Sequence, residues 1–158
     1  MSNGNHEPAN AEEQALFNVE KIYTKDVSFE NPNSPQVFMA ANTDPKVELK
    51  LNIGNRQIDD DHWEVSLKIS VLTRNSKDDS VMFEIEVEQA AVFLLKNIPE
   101  EHLPALLGVD CPSIIFPYTR QIVSQLTSDG GFFPLLLEPF NFAATYQENL
   151  AQQPQTTN

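Results

Sequence analysis

The sequence predicts an α+β fold: a four-stranded antiparallel sheet, meander-like, with two C-terminal helices packed on one of its faces. Between Phe17 and Leu95, apolar residues recur at every second position in four separate segments, the period of half-buried strands. After Lys96 the recurrence lengthens to three and four residues, the period of amphipathic helices. Strands and helices are therefore segregated along the chain, and such chains lay their helices on one side of an antiparallel sheet. The 158 residues suffice for one domain with a sizeable core and are too few for two.

Residues 1–14 and the tail 152–158, QQPQTTN, carry no usable apolar pattern and are expected to be disordered, leaving a single domain over 15–151. In the first strand, Phe17 and Val19 alternate with Asn18 and Glu20, and Val27 and Phe29 oppose Asp26, Ser28 and Glu30. The second is KVELKLNI, with Val47, Leu49, Leu51 and Ile53 on one face. The third carries Trp63, Val65, Leu67, Ile69 and Val71 between the polar turns NRQIDDD and RNSKDDS, and a meander is its simplest connection. In the fourth, Val81, Phe83, Ile85, Val87 and Gln89 oppose Met82, Glu84, Glu86 and Glu88, and both faces turn apolar from Ala91 to Leu95. Its three glutamates stand about 7 Å apart along one face and repel unless cations meet them.

NIPEEHLPALLG reads as a short proline-bounded piece, helical or irregular. Pro112 suits a first helical turn, after which Ile115, Tyr118 or Thr119, Ile122 and Leu126 share a face, and Gly130 supplies a stop. Pro117 displaces or bends this helix. Asn141 is placed to cap a last helix through about Gln152, in which Phe142, Tyr146 and Leu150 recur every four residues. Between the two helices lies GGFFPLLLEPFNF. Its prolines exclude a continuous helix and a central strand. Four Phe left in water would forgo about 6–12 kcal/mol at roughly 1.5–3 kcal/mol each, comparable to a domain's net stability. The stretch is expected to be an ordered loop that something must cover.

No constellation for catalysis is visible. His6, His62 and His102 have no partner at metal-ligand spacing, and Asp59, Asp60 and Asp61 read as a solvated turn. Cys111 stands alone, which excludes an intrachain disulfide, fits a reducing cytoplasm and offers no signature of a nucleophile. Phosphate-cradling glycine motifs, a signal peptide and a membrane-spanning apolar run are absent from the sequence. Ten Lys and Arg against 23 Asp and Glu leave a formal charge of −13, which argues against nucleic-acid binding and suits either basic partners or dispersal in solution. Five of the ten Phe fall within residues 111–142. Binding is favoured over catalysis, with no enzyme activity, metal or cofactor expected.

Three segments, IYTKDVSFENPNSPQVF at 22–38, CPSIIFPYTR at 111–120 and GGFFPLLLEPFNFAATY at 130–146, resemble the signature segments of the SecB family of bacterial protein-export chaperones. The resemblance runs from Phe17 to Leu150. It implies a cytoplasmic homotetramer, a dimer of dimers, that holds unfolded preproteins without ATP and delivers them to the SecA motor ATPase. It further implies a SecA-binding face at Asp26, Glu30, Glu84 and Glu86, with Glu84 standing where the family often has leucine. By the same resemblance a long apolar client groove is lined by Val47, Leu49 and Leu51 of the second strand, by the connector after the sheet and by the final helix. Phe116, Phe132, Phe133, Leu137, Phe140, Phe142 and Tyr146 are its further candidates in this sequence. Two departures bear on groove shape: MAANTDPK lacks the aromatic often found before the second strand, and Ala90-Ala91 replaces a glycine pair. The competing reading is an oligomeric protein in which the same aromatics enclose a small hydrophobic ligand or lipid.

Overall fold

The computed structural model describes residues 14–152. Apart from Gln14 and Gln152, the expected tails lie outside the described residues, as does His6. Four antiparallel strands form one sheet: β1 (Leu16–Glu30), β2 (Pro45–Gln57), β3 (His62–Asn75) and β4 (Val81–Lys96), in the spatial order β1-β4-β3-β2. The last three strands are a meander, but the first departs from it. It pairs with β4, so residues 31–44, which include the short helix α1 (Gln36–Met39), cross from one edge of the sheet to the other. The reason lies in β4 itself, whose Ala90, Ala91 and Phe93 are fully buried. A strand apolar on both faces needs a neighbour on each side, and as the last strand of a full meander it would have been an edge.

Register separates two faces. Phe83, Ile85 and Val87 align with Thr73, Val71 and Ile69 on β3 and, through them, with Val47, Leu49 and Leu51 on β2. This face carries the core, completed by Ile115, Val123 and Phe116 from the long helix. Strand β1 joins it by breaking its own alternation: bulges between Val19 and Lys21 and between Thr24 and Asp26 each add a residue. Two changes of phase leave Phe17, Ile22, Val27 and Phe29 on the helix-covered side.

After the sheet, α2 (Leu103–Ala105) runs through one wide π-helical turn, Leu106–Asp110, into α3 (Cys111–Asp129). Pro112 explains the wide turn, because in a regular helix its ring would strike the carbonyl of Gly108. The buried ridge of α3 is Ile115, Thr119, Val123 and Thr127. Of the two residues expected at one position Thr119 is buried and Tyr118 faces outward, while Ile122 and Leu126 pack on the core from the flank. A ridge in steps of four fits the sheet, and Thr127 is tolerated there because the backbone takes its hydroxyl, Oγ1 lying 3.0 Å from Val123 O, whereas the Thr119 hydroxyl is buried without a hydrogen-bond partner among the described residues.

The phenylalanine-rich stretch is an extended connection between α3 and α4 (Phe142–Gln152). Leu135 N donates to Thr127 Oγ1 at 2.9 Å, tying the connection to α3. Phe132 packs against Phe83 at 4.9 Å between ring centres, and Phe140 against Phe142 at 4.8 Å. Its paired glycines have separate roles. A Cβ on Gly130 would lie 2.2 Å from Phe29 Cζ, and Gly131 holds a φ of +90° with Phe38 beside it. Asn141 caps α4 as expected, its Oδ1 accepting from Ala144 N at 2.9 Å.

Candidate functional site

On the helix-covered side, the outer strand β2 is left partly bare. Val47 enters a cavity of about 580 Å³ walled by Phe38, Thr73, Met82, Phe132 and Phe133. Ile53, farther along the same face, enters a second of about 490 Å³ walled by Trp63, Leu103, Leu107, Phe142 and Tyr146. Leu49 and Leu51 stand between the two on that face, and Leu49 is 44% exposed. Strand geometry sets the two cavities about 20 Å apart. They are the ends of one apolar strip.

The candidates for this groove divide by environment. Val47, Leu49, Leu51, Phe132, Phe133 and Tyr146 line the strip or its cavities, with Phe133 97% exposed. Phe116 and Leu137 do not; they are buried in the core, where Phe116 meets Phe142 at 5.9 Å. Phe142, 3% exposed, is floor to the second cavity rather than free surface, and Phe140 is half-buried against it. Burial separates them because a residue that closes the seam between α3 and α4 cannot also face solvent. Alternation placed Ile53 and Trp63 on the correct face but gave no sign that they border a cavity. Phe38 was missed as well. It comes from the crossover, immediately before MAANTDPK, and packs on Phe132 at 5.2 Å. Gly108 admits Tyr146, whose ring would lie 3.0 Å from a Cβ there.

The opposite face of the sheet is open. Glu30 is aligned with Glu84, Ser28 with Glu86 and Asp26 with Glu88, all turned away from the core. The acidic candidates thus form one strip on β1 and β4, and Leu72 of β3 keeps an apolar side chain beside Glu84. Farther along, Tyr23 donates its phenol proton to Glu64, which also accepts from Lys25 Nζ at 3.1 Å and has Arg56 at 3.7 Å. The Tyr23 bond and these cations hold the Glu64 carboxyl below its ordinary range. Burial, reinforced by that carboxylate, pushes the Tyr23 phenol up to about 12. Ala90, though on this face, is fully covered between Tyr23 and Ser66. His62 bridges Asp59 of the β2–β3 turn at 2.8 Å and Glu20 of the first bulge at 3.1 Å.

Register also sorts the charge. Of the ten Lys and Arg, all but Lys77 and Arg120 stand on the open face. Against these eight cations it carries eight carboxylates: Asp26, Glu30, Glu84, Glu86, Glu88, Glu20, Glu48 and Glu64. The open face is therefore neutral in sum, and the whole −13 belongs to the rest of the chain. The acidic strip is a local feature, opposed by lysines on β2 and β3.

Among the described residues no group of His, Cys, Asp and Glu is arranged to hold a metal. Burial and nearby Asp110 push the Cys111 thiol up to about 12, so it is not a thiolate at neutral pH. No helix of the described residues is long and apolar enough to cross a membrane.

Residues 10–153 match the family model described as preprotein translocase subunit SecB. A protein-export protein SecB of Desulfotalea psychrophila is 51% identical over 143 residues, 90% of this chain and 92% of that one. Another, of Magnetococcus marinus, is 44% identical over 94% of this chain and 96% of its own. The solved structure of a Mycobacterium tuberculosis SecB-like chaperone, in complex with a peptide from an antitoxin, has the same fold. Its TM-score is 0.67 at 18% identity, covering 79% of this chain and 91% of that one. By sequence along nearly its whole length, and with a fold that agrees, this chain belongs to the SecB family of protein-export chaperones.

Proposed function

We propose that this protein holds unfolded preproteins, without ATP, along the β2 strip and hands them to the SecA motor through the acidic strip on β1 and β4. The observation that carries the first half is the pair of cavities at the two ends of one apolar strand face. An extended client of about six residues spans that separation and can fill both with side chains. Unfolded chains expose such segments and folded ones do not, and several modest apolar contacts need no sequence code. Suppression of aggregation of a refolding model protein, without nucleotide, is the test. No suppression at excess chaperone would sink the reading. A copurified lipid together with indifference to unfolded chains would favour the small-ligand alternative.

The second half draws on Asp26, Glu30, Glu84 and Glu86 standing together on the open face. Replacing Asp26, Glu30 and Glu86 with Lys should weaken SecA binding and flatten its salt dependence while leaving aggregation suppression intact. Unchanged SecA affinity would refute the assignment. We further propose a homotetramer, a dimer of dimers. The edge strand β1 supports it, with Leu16, Val19 and Val27 exposed although apolar, and sedimentation equilibrium decides it.

A further inference from the structure

Over two adjacent rows the open face carries opposite signs on its two sides, while the row beyond, Glu30, Glu84, Leu72 and Glu48, is acidic at both edges. One transverse row runs Ser28, Glu86, Ser70, Lys50, and the next runs Asp26, Glu88, Lys68, Asn52. In both, the negative side lies toward β1 and the positive side toward β2. Glu86 and Lys50 are two strand spacings apart, about 10 Å. Among the described residues neither Lys50 nor Lys68 makes an ion pair within 4.0 Å, whereas Lys25 and Arg56 converge on Glu64. In a chain of charge −13, two unengaged cations beside an acidic strip oppose a purely basic ligand. They are complementary to a surface that itself carries both signs.

We propose that Lys50 and Lys68 are a second element of the docking face, taking carboxylates of the same partner whose basic residues sit on Asp26 and Glu86, so that the partner docks in one orientation. This rests on the acidic strip being the SecA-binding site. Two opposed clusters of charge fix rotation about the face normal, which a single patch of one sign does not.

The experiment measures affinity for purified SecA and for a decalysine peptide by fluorescence anisotropy. Lys50→Glu with Lys68→Glu adds negative charge, so it should tighten decalysine binding several-fold. The same variant should weaken SecA about tenfold, the opposite sign. SecA binding that strengthens alongside decalysine, or does not change, overturns the proposal. Lys50→Gln with Lys68→Gln guards against a folding defect and should weaken SecA about threefold; parental affinity there also overturns it. The docking reading fails separately, if Asp26→Lys with Glu86→Lys leaves SecA affinity unchanged.

Discussion

Gly130 shows how much a single missing methyl matters. Its α-carbon faces Phe29 so closely that a Cβ would lie 2.2 Å from the ring, and β1 and the end of α3 can meet only without it. Gly130→Ala should therefore cost about 1–3 kcal/mol, the usual range for overpacking, read as a lower urea midpoint with unchanged slope. His62 makes a second prediction. Hydrogen bonding to Asp59, then to Glu20, raises its pKa above the ordinary 6.5. The native state thus prefers the protonated ring, so its contribution to stability is complete below about pH 6.5 and is lost as pH rises through the native value. An NMR titration of His62 should show a raised midpoint, and Asp59→Asn should bring it back toward normal; equal midpoints would contradict the bridge. Neither residue announced this in the sequence. Gly130 read as a helix stop because the chain position is local, whereas the ring it accommodates is about a hundred residues away. His62 stood at the edge of a polar turn with no nearby pattern to link it to Glu20.

Alternation made the strands legible because each turns one face toward the helix-covered side for most of its length, and the length-four recurrence in α4 with Asn141 before it fixed the last helix. What escaped were features that depend on other elements. The bulges of β1 are visible only in its pairing with β4, and the crossover follows from which strand needs two neighbours. The apolar strip beside β2 was legible in composition but not in membership: Phe116 and Leu137 have the same chemistry as Phe132 and Phe133, and burial alone divides them. That division predicts opposite effects. Phe133→Ala should leave the melting temperature within a degree or two and weaken client binding, since the ring is 97% exposed. Phe116→Ala should cost about 3–5 kcal/mol as a buried aromatic and reduce client holding only through unfolding. Thr127→Val tests the tie between α3 and the connection that follows it. Leu135 N loses its acceptor, and about 1–3 kcal/mol should go with an unsatisfied donor, seen as faster hydrogen exchange at residues 132–137.

At the scale of the molecule, net charge described the wrong object. The figure of −13 suited basic partners or dispersal of the whole chain, yet the strands gather nearly every cation onto the open face and leave the excess on turns, helices and tails. Composition cannot reveal this because it carries no register. The partition predicts that salt acts differently on the two faces. SecA binding should fall steeply between low and physiological ionic strength, while client holding on the apolar strip should be nearly indifferent to it, and parallel slopes in titrations against added salt would count against separate sites.

The β1–β4 pairing has a consequence in time. Leu16 lies opposite Lys96 and Glu30 opposite Glu84, so the first strand cannot complete its pairing until about 80 more residues have been made. At roughly 5–20 residues per second of synthesis, β1 waits about 4–16 s for its full partner while β2 and β3 can already close their hairpin. Distant pairings of this kind fold late. A chaperone that shields exposed segments of other chains is, during its own birth, a chain with such a segment waiting for cover.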